Sequence, residues 1–207
     1  MTNVAASTLY RVAAVAGIGG AVVLVVNAAK RAALIPASTA TQLVAPLAEV
    51  LGLALVTGLF FAASRRTGAW GLVAYLLNSL ALASLIGAEF VINLVFSQVS
   101  PELRGDLLAG PLGLGLTIAS GLFLLGSLAF AASLIVARDV PVGAVALYSI
   151  GAIPVALRAF VPELVLDLGL VVLAAGIGWL SIWLLGRARS LGDAAASTSQ
   201  PADSVIR

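Results

Sequence analysis

The stretch "WGLVAYLLNSLALASLIGAEFVINLVF", from Trp70 to Phe96, is apolar apart from a few uncharged polar side chains and one carboxylate, Glu89. A membrane-spanning helix needs about 20 such residues. Runs of this kind recur along the whole chain, which is 61% hydrophobic and 10% charged and has a mean hydropathy of +1.15. The sequence therefore predicts an all-α integral membrane bundle.

Six transmembrane helices are predicted within a domain of residues 1–186. Their expected bounds are Val12–Ala29, Leu43–Ala63, Trp70–Phe96, Leu114–Ala137, Val142–Phe160 and Leu164–Leu185. Residues 187–207 are rich in Ser, Ala, Asp and Pro, a composition that buries too little surface to order itself, so we expect a disordered tail.

The orientation follows from the basic residues at the two ends of these spans. The N-terminus and the even-numbered loops carry seven Lys and Arg residues, against four on the other side. Because cytoplasmic loops are enriched in these residues, we expect both termini in the cytoplasm. On the outer side, "SPELRGDLLAG" predicts a short interfacial helix, with Ser100 as its N-cap and Pro101 at its first position.

The composition excludes several classes of function. The chain has no cysteine and no histidine, which removes disulfides, thiolate chemistry, imidazole bases and the usual zinc and haem ligands. We expect no cofactor and no metal site. The net charge is only +2 and no basic patch is interleaved with aromatic residues, so nucleic acid is not an expected partner.

The third span carries one polar stripe. At 100° per residue, Asn78, Glu89 and Asn93 fall within about 60° of one another on a helix. An ionised carboxylate that faces hydrocarbon costs several kcal/mol. We therefore expect Glu89 to face the bundle interior or to stay protonated.

Several spans place a polar residue at a similar depth. At 1.5 Å per residue, Glu49 lies roughly 10 Å and Glu89 roughly 12 Å below the outer ends of their helices. Arg158 and Asp167 lie about one turn from the same boundary. This arrangement predicts a one-sided polar cluster in the outer half of the membrane. The candidate binding residues are Glu49, Glu89, Asn93, Arg158 and Asp167.

Arg158 is interpreted as the only internal cation. A charge-assisted bond to a carboxylate would offset much of its desolvation, so we expect it within salt-bridge reach of Glu49, Glu89 or Asp167. Charges within a turn of a helix end can instead reach water by snorkelling, which would explain Arg158 and Asp167 without a function. For Glu49 and Glu89, a structural ion pair and a ligand or proton site both stay open.

Two other features bear on the packing. Pro46 and Pro154 predict kinks near the cluster, which could open a cavity or be accommodated by neighbouring helices. Small residues recur four apart, a spacing that lets helix backbones approach closely. They are Ala13, Gly17 and Ala21; Gly113, Thr117 and Gly121; and Ala174 and Gly178.

Two stretches, "TLYRVAAVAGIGG" and "GLFLLGSLAFAASLIVARDVPVGAVALYSIG", resemble a bacterial family of uncharacterised multi-pass membrane proteins, the domain of unknown function 4386 type. The resemblance would cover nearly the whole chain except the tail. It implies a protein of about six helices in the cell membrane and transfers no catalytic residues.

Three functions are compatible with the sequence. The first is a non-enzymatic membrane protein whose outer-half polar cavity binds a small amphiphile, a lipid headgroup or a proton, as a binding or transporter-like module. The second is an accessory subunit that packs against a membrane-protein partner or another copy of itself. The third is an intramembrane enzyme in which Glu49 and Glu89 act as paired carboxylates.

Overall fold

The computed structural model describes residues 3–198, and these are helical with no strand among them. Seven α-helices follow one another, and the third runs directly into a π-helical turn. Their bounds are α1 Asn3–Arg31, α2 Thr39–Val44, α3 Leu47–Phe90, the π-helical turn Val91–Val95, α4 Pro101–Ala109, α5 Pro111–Ala137, α6 Val142–Ala156 and α7 Glu163–Thr198.

Helix α3 is a hairpin of two arms, residues 47–64 and residues 69–90, joined at Gly68. This glycine has φ 56° and ψ −144°, a conformation that residues with a Cβ rarely adopt. Phe60 and Tyr75 stack across the hairpin with their ring centroids 4.5 Å apart, and the Tyr75 hydroxyl lies 3.2 Å from Thr57 Oγ1. The second and third predicted spans are therefore packed side by side.

Five helical segments are long and apolar enough to cross a membrane. They are Val4–Arg31, Thr39–Ser64, Arg66–Val95, Pro111–Ala137 and Glu163–Ser197. The fifth predicted span corresponds to α6, which ends at Ala156 instead of Phe160 and has only 15 residues. At 1.5 Å per residue it is about 22 Å long, less than the roughly 30 Å of a bilayer core. Pro154, which withholds a backbone N–H, lies one turn before the helix gives way to a turn at Leu157.

The helices form a closed ring. Helix α1 contacts α7, α7 contacts α6, α6 contacts α5, α5 contacts α3, and α3 returns to α1. The ring surrounds a small internal cavity of about 40 Å³. Large apolar side chains pack inside, including Leu55, Leu59, Phe130, Leu134, Leu180 and Leu184, each no more than 2% exposed.

Glycines set the distance between α6 and α7. A Cβ on Gly151 would lie 2.3 Å from the backbone nitrogen of Leu173, and a Cβ on Gly176 would lie 2.4 Å from that of Tyr148. Both distances are shorter than real Cβ contacts, so only glycine fits at this backbone separation. The stripe of Ala13 and Gly17 on α1 is also used for internal packing, because Gly17 abuts Ser181 and Leu55.

The predicted bounds of the tail need correction. Helix α7 continues past Gly186 to Thr198, and residues 199–207 lie outside the described part of the chain. Ala188 is fully buried, and its carbonyl accepts a 2.7 Å hydrogen bond from Ser7 Oγ of α1. The Arg187 guanidinium lies 5.5 Å from the Trp183 ring centroid and 3.8 Å from Asp139. These contacts order a segment whose composition alone predicts disorder.

The short helix predicted over "SPELRGDLLAG" is present as α4, Pro101–Ala109. Ser100 caps it, since the Ser100 hydroxyl accepts a hydrogen bond from the Leu103 N–H at 3.3 Å, and Pro101 occupies its first position. Most of its residues are exposed, including Leu103 and Leu108.

The close approach of α6 and α7 can be tested with Gly176→Ala. The added methyl group would overlap the backbone of α6, so we expect a loss of about 1–3 kcal/mol in the free energy of unfolding in detergent. Gly186→Ala on the same helix is the control, because its Cβ meets nothing within 4 Å and alanine favours the helix by up to about 1 kcal/mol. Equal melting temperatures for the two variants would contradict a close contact between Gly176 and the backbone of α6.

Candidate functional site

Charged side chains gather at one end of the bundle, where α1, α3 and α6 end and α5 and α7 begin. We call this the charged end. Lys30 and Arg31 occupy the last turn of α1, where cations interact favourably with the helix dipole. Glu89 belongs to the last turn of α3, Arg158 follows α6, and Asp167 lies in α7 near its start.

Glu89 and Arg158 form the central ion pair. Arg158 Nη1 donates to Glu89 Oε1. The Arg158 side chain is only 24% exposed and the Glu89 side chain only 9%. The prediction that Arg158 lies within salt-bridge reach of an acid is therefore confirmed, with Glu89 as the partner. Glu89 faces the bundle interior, as its position on the polar stripe predicts.

Asn93 extends this pair toward α1. Its amide nitrogen donates to Glu89 Oε2 at 2.8 Å and to the Glu89 carbonyl at 3.0 Å, and its amide oxygen accepts from Lys30 Nζ at 2.6 Å. Asn93 lies in the π-helical turn, a rare local structure that is frequent at functional sites. Arg158, Glu89, Asn93 and Lys30 thus form one continuous chain of hydrogen bonds from α6 through α3 to α1.

Asp167 has a different partner from the one expected. Arg31 Nε donates to Asp167 Oδ1 at 3.1 Å, and Arg31 Nη2 lies 3.8 Å from Glu163 Oε1. The interpretation of Arg158 as the only internal cation is therefore wrong, since Lys30 and Arg31 belong to the same cluster. Helix α1 runs two residues beyond its predicted end at Ala29, which brings both cations into the bundle.

Glu49 stands apart from these pairs. It lines the internal apolar cavity together with Leu24 and Leu55, and its Oε2 atom is buried without a hydrogen-bond partner among residues 3–198. It lies within electrostatic range of Glu89 and Arg158. The structure does not bring it into the hydrogen-bonded chain.

Asn78 belongs to a second, separate polar cluster. Its amide nitrogen donates to the Tyr148 hydroxyl at 3.2 Å, and Ser127 Oγ donates to its amide oxygen at 3.4 Å. All three side chains are buried, and the bonds connect α3, α5 and α6. A structural role explains this cluster fully.

A cleft of about 610 Å³ opens beside the charged end. It is lined by α3, α4, α5 and the turn after α6, with Arg31 and Leu166 contributed by α1 and α7. Three arginines face it, namely Arg31, Arg104 and Arg158, and the rest of the lining is largely apolar. No Asp or Glu is among these lining residues.

The cleft differs from the cavity that the sequence predicts. Of the five predicted binding residues only Arg158 lines it, while Glu89, Asn93 and Asp167 hold the cations and Glu49 lines the internal cavity. Thr117 and Gly121 line the cleft instead of packing against another span, and a Cβ on Gly121 would meet nothing within 4 Å. Gly113 also lines the cleft, but a Cβ there would lie 1.9 Å from the carbonyl oxygen of Leu108, so this glycine lets α4 approach α5 closely.

Comparison with protein-family models, with curated proteins and with solved structures finds no match. The resemblance to the domain of unknown function 4386 type stays a prediction.

The ion pair between Glu89 and Arg158 can be tested by removing one partner. Arg158→Ala leaves the buried Glu89 carboxylate without its cation, and we expect a loss of about 3–5 kcal/mol in the free energy of unfolding. The double variant Glu89→Leu/Arg158→Leu should cost less than the single change, because no buried charge is left unpaired. A melting temperature in Arg158→Ala equal to that of the wild type would show that the pair contributes nothing.

The two acids that contact Arg31 provide a matched comparison. The Asp167 side chain is 17% exposed and that of Glu163 is 82% exposed. Asp167→Ala should lower the free energy of unfolding by about 1.5–3 kcal/mol, as expected for a charged hydrogen bond. Glu163→Ala should cost no more than about 1 kcal/mol, as for a surface pair. The reverse order in thermal unfolding would contradict this assignment of the Arg31 partners.

Proposed function

We propose that this chain is a multi-pass protein of the bacterial plasma membrane whose cleft binds a small amphiphile. The observation that carries the proposal is the lining of the cleft, which combines three arginines with an apolar wall. Its volume of about 610 Å³ falls within the roughly 300–1,000 Å³ of small-molecule sites. A molecule with a polar head and an apolar tail matches such a surface.

The proposed topology counts α6 as a sixth, shorter span. Two arms of α3 together with α1, α5, α6 and α7 then make six crossings, and both termini lie on one side. The excess of Lys and Arg at that side favours the cytoplasm. The cleft then belongs to the outer half of the membrane. A chain of this organisation would fit the domain of unknown function 4386 type.

The two alternative functions have less support. An accessory subunit would use its small-residue faces for a partner, but the face around Gly17 on α1 is occupied by Ser181 and Leu55 of the same chain. An enzyme with paired carboxylates would need two available acids. Both Glu89 oxygens are already bonded, and Glu49 has no polar partner at Oε2 among residues 3–198.

Filling the cleft tests the proposal. We suggest photolabelling the purified protein in neutral detergent with a single-chain lipid that carries a diazirine in its tail, and mapping the labelled residues by mass spectrometry. In the wild type, labelling at Leu124, which lines the cleft and not the neighbouring depression, should saturate and should be competed by unlabelled lipid. Gly121→Leu should reduce it several-fold, because the new side chain occupies the empty space of the cleft.

Gly115→Leu is the matched control. Gly115 lies on the same helix, its Cβ also meets nothing within 4 Å, and it lines a different surface depression from the cleft. In this variant, labelling at Leu124 should stay at the wild-type level. Labelling of Leu124 that never saturates, or that the two variants change equally, would mean that this residue merely contacts bulk lipid.

A further inference from the structure

We infer that the amphiphile bound in the cleft carries an anionic headgroup, held by Arg104, Arg158 and Arg31. This inference rests on the proposed function and adds the charge of the ligand. It follows from three observations: the sign of the lining charges, the hydrogen-bond donors that remain unused, and the separation of the arginines from the apolar wall.

The first observation is the charge of the lining. Three guanidinium groups line the cleft and no carboxylate does. Arg104 is exposed and makes no ion pair or side-chain hydrogen bond within the described range of residues 3–198. Glu89 and Asp167 pair with Arg158 and Arg31 from outside the lining. The charge of the lining that no acid of residues 3–198 neutralises is therefore that of Arg104, which attracts anions and disfavours cationic ligands.

The second observation concerns the donors of the two paired arginines. A guanidinium has five N–H donors. In residues 3–198, Arg158 uses Nη1 toward Glu89, and Arg31 uses Nε toward Asp167 with Nη2 near Glu163. Further N–H groups of both side chains are therefore available to a phosphate or carboxylate, which arginine can bind through two parallel bonds.

The third observation is the position of the arginines relative to the apolar wall. Arg31 and Arg158 belong to the charged end of the bundle, and Arg104 lies on α4, which leads directly into the start of α5 there. The wall on α5 extends from Gly113 to Leu124, about 16 Å along the helix at 1.5 Å per residue. A headgroup at the arginines thus leaves room for a tail along α5, which a free inorganic anion would not use.

The test compares ligands that share one tail. We suggest native mass spectrometry of the full chain in neutral detergent with dodecyl phosphate, dodecyltrimethylammonium and a neutral dodecyl glycoside, together with inorganic phosphate. Dodecyl phosphate should bind at least about tenfold more tightly than the other two amphiphiles, the change expected from one charge-assisted contact. Inorganic phosphate should bind more weakly than dodecyl phosphate, because it lacks the tail.

Arg104→Gln is the decisive variant, since the Arg104 side chain is exposed and makes no ion pair or side-chain hydrogen bond among residues 3–198. It should weaken binding of dodecyl phosphate by about tenfold and leave the neutral glycoside unchanged. Arg11→Gln makes the same change of charge at an exposed position of α1 remote from the cleft, and should leave both affinities unchanged. Arg104→Lys, which keeps the positive charge, should bind dodecyl phosphate more tightly than Arg104→Gln does.

The outcomes separate this inference from the proposed function. If the three amphiphiles bind equally well and Arg104→Gln has no effect, amphiphile binding stands and the anionic headgroup is wrong. If inorganic phosphate binds as tightly as dodecyl phosphate, the site is an anion site without a tail pocket and the inference is also wrong. If no amphiphile binds at the cleft, the proposed function fails and this inference fails with it.

Discussion

The structure depends on one constraint, which is that a charge inside an apolar bundle must be paired and its hydrogen bonds satisfied. Glu89 meets it through Arg158 on one oxygen and Asn93 on the other. Because Asn93 also accepts from Lys30, the same carboxylate connects the turn after α6 to the end of α1. Three segments that lie far apart in sequence are thereby fixed relative to one another.

The short helix α6 explains why a cleft exists at this end. Elsewhere α6 packs backbone against backbone with α7 through Gly151 and Gly176, which leaves no space. After Ala156 the chain leaves the helix, and the turn that follows carries Arg158. On the opposite wall, α5 presents the small residues Thr117, Ser120 and Gly121 between Leu116 and Leu124. The space of the cleft lies between the end of α6 and these small residues of α5. Because the turn after α6 also carries Arg158, the cleft and the ion pair both depend on where α6 ends.

Much of the fold follows from composition and periodicity, because apolar runs of membrane length admit few structures other than helices. Helix geometry also identifies Glu89 and Asn93 as inward-facing residues and Arg158 as the cation near an acid. The partner of Asp167 could not be found this way, since Lys30 and Arg31 follow an apolar run and are indistinguishable from loop residues until the end of α1 is known. The cleft could not be located either. The cleft exists because α5 carries small side chains at some of the positions that face it, and Arg104 lines it because of where α4 lies in the fold.

The arrangement of charges at this end explains why a carboxylate is kept within the apolar stretch from Trp70 to Phe96. A cluster of arginines alone would be costly to hold beside hydrocarbon, because each guanidinium would be desolvated without compensation. Glu89 and Asp167 offset that cost from positions outside the cleft lining, each by contacting part of one guanidinium. Each guanidinium has further N–H groups beyond those that contact its acid, and both Arg31 and Arg158 line the cleft. Under the proposed function, the acids are positioning residues, and the cations that they hold form the binding surface.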